Sequence, residues 1–316
     1  MPDQLQLRGG TSTEHNSFTG VAREVTVDTT KKTLVVHDGS TAGGTPLMKE
    51  AGHSGDVAFN GVTVGKGPNS RTGNTVVGEG ALDAVTTGPE NSAFGKDALT
   101  SLTTGQYNTA IGRQALQSLI GSNENTAVGN NCAASITTGT RNTAVGSYSL
   151  DALTGGHDNV AVGRSALGAA TSASNNTAVG KSALEATTTG QKNVAVGSLS
   201  LDANTTGNNN IAVGYSVLSA NTTASNNTAV GMNCLLTNTT GSENVAIGQA
   251  ALTANTIGNK NTALGRLSLQ QNSTADNNTA LGYNSLASNT TGAVNTAVGS
   301  RSLESNTTGA NNTATG

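Results

Sequence analysis

The sequence contains no tryptophan and few aromatic residues of any kind. Phe, Tyr and Trp together make up 2% of the 316 residues, and charged residues make up only 11%. A globular core of ordinary thickness depends on large apolar side chains, so this composition disfavours a conventional globular domain. Low charge also disfavours disorder, since disordered chains are usually rich in charge. A repeat architecture, in which many thin layers share one narrow core, fits both observations.

Further absences exclude several classes of partner. The net charge of -3 provides no basic surface for nucleic acid. No apolar run approaches the roughly 18 residues of a membrane span. The polar start MPDQLQLRGG lacks the apolar stretch of a signal peptide, so secretion by the general route is not expected. His15, His37, His53 and His157 are not spaced like metal ligands, and we predict no metal and no cofactor.

Neither cysteine nor acidic residues form a pattern with obvious chemistry. Cys132 and Cys234 occupy the same place in a repeat and lie six repeats apart, which is roughly 29 Å in stacked strands. A disulfide within one chain is therefore excluded, and both residues are predicted to fill small core positions. The acidic residues form no recurrent pair suited to glycoside hydrolysis. We predict that the protein is not an enzyme.

What the sequence does contain is a strict repeat of 17 residues, N-T-A-V-G-x-x-A-L-x-x-x-T-T-G-x-x. We number its positions 1 to 17 from the asparagine, and position 5 is Gly in every copy. The period is too short for a helical-pair repeat. Asparagine occupies position 1 at Asn74, Asn91, Asn108, Asn125, Asn142, Asn159, Asn176, Asn193, Asn210, Asn227, Asn244, Asn261, Asn278, Asn295 and Asn312.

The repeat predicts an all-β fold, a parallel β-solenoid or β-roll in which each repeat forms one coil. T-A-V is expected to form one strand and A-L a second, with turns at G-x-x and T-T-G. Strand alternation leads us to expect positions 4 and 9 to point into the coil and the Ala at position 3 to point outward. Position 5 is expected to need a backbone that Gly adopts at low cost.

The repeated asparagines are interpreted as a structural ladder rather than as catalytic groups. Identical amides on successive coils can bond to one another and to the turn backbone. The same reasoning applies to the Thr pairs of the T-T-G turns. One coil offers little apolar surface to offset the entropy of ordering its residues, so we expect chains to associate. A closed homotrimer, packed through the Ala face, is the predicted assembly.

The segment before the repeats has a different pattern. Val25 and Val27 alternate with polar residues, as do Leu34 and Val36, and TTKK between them predicts a β-hairpin. We therefore predict three regions: residues 1–48 as an N-terminal β module, residues 49–73 as a connector that starts the coil with GVTVG, and residues 74–316 as the repeat shaft.

These motifs resemble two groups of known proteins. The repeat is similar to the head repeats of trimeric autotransporter adhesins, and more so to the 17-residue repeats of phage tail-fibre proteins. The opening LRGGT, the core EVTVDTTKKTLVVHDG and the end STAGGTPL resemble a module at the start of many phage tail fibres. The resemblance implies a virion tail fibre that attaches through its N-terminal module to a tail or baseplate protein. Its distal part would then recognise a host surface glycan or protein.

Candidate receptor contacts are variable turn residues after the position 5 glycine. Tyrosines stack on sugar rings, and basic residues occupy equivalent places. The candidates are Tyr148, Tyr215, Tyr283, Arg113, Arg164, Lys181 and Arg266.

The sequence leaves two alternative functions open. A bacterial trimeric surface adhesin would be expected to carry a signal peptide, a coiled-coil stalk and a barrel anchor, and the sequence shows none of them. An ice-binding solenoid is suggested by the many threonines. It requires a strand face of Thr-x-Thr, whereas Thr205 and Thr206 are predicted to lie in turns.

Overall fold

A computed structural model describes residues 8–19, 25–29, 33–37, 40, 42, 45–46, 56–59 and 62–316. The chain divides into two compact units, residues 1–55 and residues 56–316. The boundaries predicted at residues 48 and 73 stay predictions. Residues 49–55, which include His53, and residues 60–61 of the predicted connector lie outside the described residues.

The first unit is a four-stranded sheet accompanied by a short helix. Strand β1 pairs parallel with β2, while β2–β3 and β3–β4 are antiparallel. Val25 lies opposite Val36 and Val27 opposite Leu34, so the predicted hairpin is confirmed; Lys31 and Lys32 of its turn lie outside the described residues. The elements are β1 (Arg8–Gly10), α1 (Ser12–Ser17), β2 (Val25–Asp28), β3 (Thr33–Val36) and β4 (Thr45–Pro46).

The buried face of this hairpin combines polar and apolar side chains. Thr26, Asp28, Val35 and His37 are buried, whereas Leu34 is 40% exposed. The Thr26 Oγ1 and His37 Nε2 atoms lie 3.0 Å apart, and the Phe18 ring meets the His37 ring edge-on at 5.1 Å. The hydrogen bond offsets the cost of removing the two polar groups from water.

The second unit is a solenoid preceded by two antiparallel strands. Strands β5 (Val57–Phe59) and β6 (Val62–Gly65) pair antiparallel, and β6 pairs antiparallel with β7 (Thr75–Gly78). A 3-10 turn spans Pro68–Ser70. From β7 onward every strand pairs parallel with the next. Strand β6 therefore covers the first coil through an antiparallel pair with β7, whereas all later pairs between coils are parallel.

One short strand recurs in each coil, always at positions 2 to 4. Every Cα faces its equivalent one coil further on; Thr143, for example, pairs with Val160. At about 4.8 Å per coil, the fourteen steps from Asn74 to Asn312 span about 67 Å. The strands are β8 (Ser92–Phe94), β9 (Thr109–Ile111), β10 (Thr126–Val128), β11 (Thr143–Val145), β12 (Val160–Val162), β13 (Thr177–Val179), β14 (Val194–Val196), β15 (Ile211–Val213), β16 (Thr228–Val230), β17 (Val245–Ile247), β18 (Thr262–Leu264), β19 (Thr279–Leu281), β20 (Thr296–Val298) and β21 (Thr313–Thr315).

The expected orientation of the strand is wrong. Position 3 points inward: Ala178 and Ala195 are fully buried. Position 4 points outward: Val179 is 36% exposed and Val196 is 37% exposed. The interior of the narrow coil is filled from the other side by Leu at position 9 and by the side chain at position 12, which are buried. From the second coil onward the strand side therefore holds only the methyl group of Ala; in the first coil Val76 is buried there.

The expected second strand at A-L is also wrong, although the burial of Leu at position 9 is confirmed. In the coil that begins at Asn176, Ala183 and Leu184 are both buried, whereas neighbours on a strand point to opposite faces. Ser182 and Leu184 have φ of 57° and 54°. These left-handed residues curl the backbone, so that two consecutive side chains reach the core while the segment remains a turn.

The expectation for Gly at position 5 is confirmed. Gly197 has φ of 130°, a region that L-residues rarely adopt. A Cβ added there would meet the carbonyl oxygen of Gly214 on the next coil. Both the conformation and the close approach of stacked backbones therefore require glycine.

Candidate functional site

The asparagines of position 1 lie buried in a continuous column along the solenoid. Each Oδ1 accepts the backbone N–H of the next asparagine at 2.8–3.1 Å, as Asn193 does from Asn210. Most also donate Nδ2–H to the carbonyl at position 15 of their own coil, at 2.9 Å from Asn193 to Gly207. The side chain thus joins the two ends of one coil and connects it to the next. With every polar atom engaged in structure, the column is unsuited to reactive chemistry.

A second amide column fills position 12 in the C-terminal half. Up to Ala170 this position is apolar, with Leu153 as an example; Thr187 follows, and then only asparagine. The amides bond from coil to coil at 2.8–3.1 Å, as Asn255 Nδ2 does to Asn238 Oδ1 at 2.8 Å. Sequence reasoning missed this column, although its signal is present as Asn followed by Thr or Ser in each late repeat. Its members are Asn204, Asn221, Asn238, Asn255, Asn272, Asn289 and Asn306.

Threonines at position 13 form a third regular contact. The hydroxyl of Thr188 donates to the carbonyl oxygen of Thr205 on the next coil at 3.2 Å, and Thr205 donates to Thr222 at 3.0 Å. The bonds run from hydroxyl to backbone, and this differs from a ladder of hydroxyl groups. These residues therefore close the turn and tie it to its neighbour.

The candidate receptor contacts follow Gly at position 5 and lie at positions 6 and 7, which we call the Gly-turn edge. All seven are exposed, with Tyr215 at 54% and Tyr283 at 39%. The Arg266 guanidinium lies 5.7 Å from the centre of the Tyr283 ring, and its Nε donates to Gln249 Oε1 at 3.2 Å. Three successive coils thus present one connected polar and aromatic surface.

The remaining candidates on this edge are more isolated. Tyr148 is 42% exposed and sits at position 7 with φ of 58°. Arg113, Arg164 and Lys181 occupy position 6 of their coils, where Lys96 forms an ion pair with Glu79 at 3.0 Å. The structure brings Arg266 and Tyr283 together, while the other candidates are spread along the same edge.

Charged groups elsewhere do not assemble a reactive centre. Burial raises the pKa of Asp151, with a smaller contribution from Glu185, and Arg141 lowers the pKa of Asp158 through a hydrogen bond at 2.7 Å. In the part of the chain that the structure describes, no group of three His, Cys, Asp or Glu side chains could hold a metal ion. The same part contains no helix long and apolar enough to cross a bilayer.

The strand of each coil exposes a second surface that sequence reasoning missed. Positions 2 and 4 point outward and form two columns along the solenoid, which we call the outer strip. Position 2 is mostly Thr and position 4 is Val, Ile, Leu or Phe until Thr315. Phe94, Ile111 and Leu264 are 37%, 42% and 44% exposed. The available signal was that neither position carries a charged residue in any of the fifteen copies.

Comparisons with known proteins give a match to a phage protein and to a protein family. A segment of 49 residues is 61% identical to the "Tail fiber receptor-binding protein" of Bordetella phage BPP-1; it covers 16% of this chain and 13% of that protein. No solved structure matches the chain. Residues 5–41, which include β1 to β3 and the buried Thr26–His37 contact, match the family described as the Major tropism determinant N-terminal domain.

Proposed function

We propose that the protein is a receptor-binding tail fibre of a phage, located in the virion and attached to it through the N-terminal module. The observation that carries the proposal is the union of two parts: a module similar to that of a tail-fibre receptor-binding protein, and a solenoid of coils in unbroken register. A stacked column of this kind sets a fixed reach without needing a thick core.

The proposed partners follow from this placement. The N-terminal module contacts a tail or baseplate protein, the solenoid associates into a homotrimer, and the Gly-turn edge contacts a host surface glycan or protein. Tyr283 beside Arg266 supports the last assignment, because an exposed ring stacks on a sugar face while a guanidinium binds acidic groups. No catalytic role, nucleic acid or membrane insertion is part of the proposal.

The receptor proposal is tested with labelled full-length protein on intact bacterial cells and on printed bacterial surface polysaccharides. We expect the triple change Tyr215→Ala, Arg266→Ala and Tyr283→Ala to lower binding at least tenfold. The matched control changes Thr206, Thr240 and Thr291 to Ala, three exposed residues at position 14. Equal binding by both variants would contradict the assignment of receptor binding to the Gly-turn edge. Binding to no cell and no polysaccharide would contradict host recognition.

Virion attachment is tested by immunogold electron microscopy of particles that incorporate the chain with a tag at its C-terminal end. We expect gold on fibres of the tail, away from their point of attachment. Gold within the capsid, or on host cells without particles, would contradict the assignment to a tail fibre.

A further inference from the structure

We propose that the outer strip is the surface through which copies of this chain associate, parallel and in register. The inference deepens the proposed homotrimer by naming its interface, and it replaces the Ala face, which the single chain already buries. The occupant of the strip is a second copy of the same chain.

The size of the strip supports association. Two columns about 67 Å long and about 10 Å wide cover roughly 670 Å² on each chain, estimated from the coil and residue spacings of β structure. A standard interface buries about 800 Å² per partner. The strip is therefore close in area to what an interface requires.

The chemistry of the strip distinguishes it from the other faces of the solenoid. Charged side chains occur at the Gly-turn edge, as in Lys96 with Glu79, and at positions 16 and 17, as in Arg141 with Asp158. At positions 2 and 4 they are absent from every copy. Solvent-exposed strand positions normally carry charge that prevents edge and face association. Positions 13 and 14 also lack charge, but they are mostly Thr or Ser, whereas position 4 is apolar in fourteen of the fifteen copies. An uncharged face with an exposed apolar column along its whole length indicates a face that is covered.

The regular spacing identifies another copy as the partner. The strip repeats with the coil period, since each Thr, Val or Ile faces its equivalent on the next coil. A surface with the same period, length and apolarity is present on every copy of this chain. Parallel copies at equal height bring equivalent residues together at a closed symmetry axis.

The first experiment uses cysteine cross-linking at two heights of the full-length protein. Ile111→Cys and Val298→Cys lie in the strip, and Arg113→Cys and Ser300→Cys are matched controls on the adjacent Gly-turn edge. With mild oxidation we expect covalent dimers from each strip variant alone and none from the controls. Cross-links that form only when the two strip variants are mixed would show antiparallel contact and overturn the proposal, as would equal cross-linking by the controls.

The second experiment changes the charge of the strip. Val179→Lys with Val196→Lys should lower the solution mass from that of three chains, 3 × 31.2 = 93.6 kDa, to 31.2 kDa, with an unchanged circular dichroism spectrum. Gln191→Lys with Ser300→Lys, of equal charge, should leave the mass unchanged. If the unmodified protein is a monomer, the proposed interface is overturned. If that monomer also shows thermal hysteresis, the outer strip is an ice-binding surface instead. A monomer that still binds cells would overturn the interface but not the receptor-binding proposal. The failure of the interface is therefore distinguishable from the failure of the proposed function.

Discussion

At the scale of single residues, the coil depends on backbone conformations that few residues adopt. Position 5 lies near φ of 130°, and positions 7, 9 and 17 lie near φ of 50–60° in coil after coil. A left-handed conformation costs an L-residue about 1–2 kcal/mol. Asn and Asp tolerate it better, and they are frequent at position 17. The side chain at each of these positions is therefore selected by backbone conformation as well as by packing.

Replacing one position 5 glycine should cost much more than replacing the glycine at position 14 of the coil that begins at Asn142. For Gly197→Ala we expect a loss of about 2–4 kcal/mol in the free energy of unfolding, because an L-residue is strained at this φ and the new Cβ meets the Gly214 carbonyl. Gly155→Ala, at position 14, should cost less, because the atom nearest to its new Cβ is the Thr138 hydroxyl oxygen at 3.3 Å. Denaturant unfolding measures both, and equal losses would contradict the argument.

Val294 is a β-branched residue in a left-handed conformation, with φ of 61° and 52% exposure. We expect Val294→Asn to raise the free energy of unfolding by about 0.5–1 kcal/mol, because asparagine adopts this conformation at lower cost. Val245→Asn, which changes an exposed strand residue, serves as the control and should not stabilise. The midpoint of thermal unfolding reports both changes, and a lowered midpoint for Val294→Asn would contradict the explanation.

At the scale of the elements, the solenoid has two kinds of interior. The N-terminal coils fill position 12 with apolar side chains such as Leu153, and the C-terminal coils fill it with hydrogen-bonded amides. An amide in this column needs a hydrogen-bonding group on the neighbouring coil; at the start of the column the Thr187 hydroxyl accepts from Asn204 Nδ2 at 3.3 Å. Buried polar networks of this kind are costly when only partly satisfied.

Replacing an amide by an apolar side chain at position 12, or an apolar side chain by an amide, should destabilise the protein in either case. Asn238→Leu leaves Asn255 Nδ2 without its 2.8 Å acceptor, and Leu153→Asn places an amide between the apolar Ile136 and Ala170. We expect each change to cost about 2–3 kcal/mol. Gln191→Ala, on the exposed surface, is the control and should stay within about 0.5 kcal/mol. A neutral result for Asn238→Leu would show that the column contributes nothing.

At the scale of the whole molecule, stability comes from stacking equivalent coils, so coil number and coil phase have different consequences. Deleting residues 210–260 removes 51 residues, three whole coils, and joins Asn209 to Asn261 in the original phase. We expect folding with a melting temperature within a few degrees of the parent. Deleting residues 210–252, which breaks the phase, should abolish cooperative melting measured by circular dichroism. Similar melting of both deletions would contradict the stacking argument.

The two thiols should report when the solenoid opens. Burial raises the pKa of Cys132 and of Cys234 to about 12, and the Cys234 thiol donates to the Ala246 carbonyl at 3.1 Å. At pH 8 we expect a disulfide reagent to modify both at least about 10³-fold more slowly in the native protein than in denaturant, because the thiolate is the nucleophile. Ser300→Cys is the exposed control. Rapid modification of Cys132 in the native protein would contradict its burial in the core.

The same thiols link stability to alkaline pH. Their folded pKa lies above the unfolded value of about 8.5. Their contribution to the free energy of unfolding is therefore complete below that unfolded pKa, and it is lost as the pH rises toward 12. Between about pH 8.5 and pH 12, the free energy of unfolding should fall less in the Cys132→Ala and Cys234→Ala double variant than in the parent protein.

The sequence by itself determined the period, the stacking of like coils, the glycine at position 5, the burial of Leu at position 9 and the N-terminal hairpin. Each follows from a local rule or from strict repetition. Only the tertiary structure decided which face of the strand is internal, because alternation at Val194, Ala195 and Val196 defines two faces without ranking them. The choice was made by the small space left opposite Leu at position 9 and the side chain at position 12. The same limit on space turned A-L into a left-handed turn and placed the outer strip on the surface.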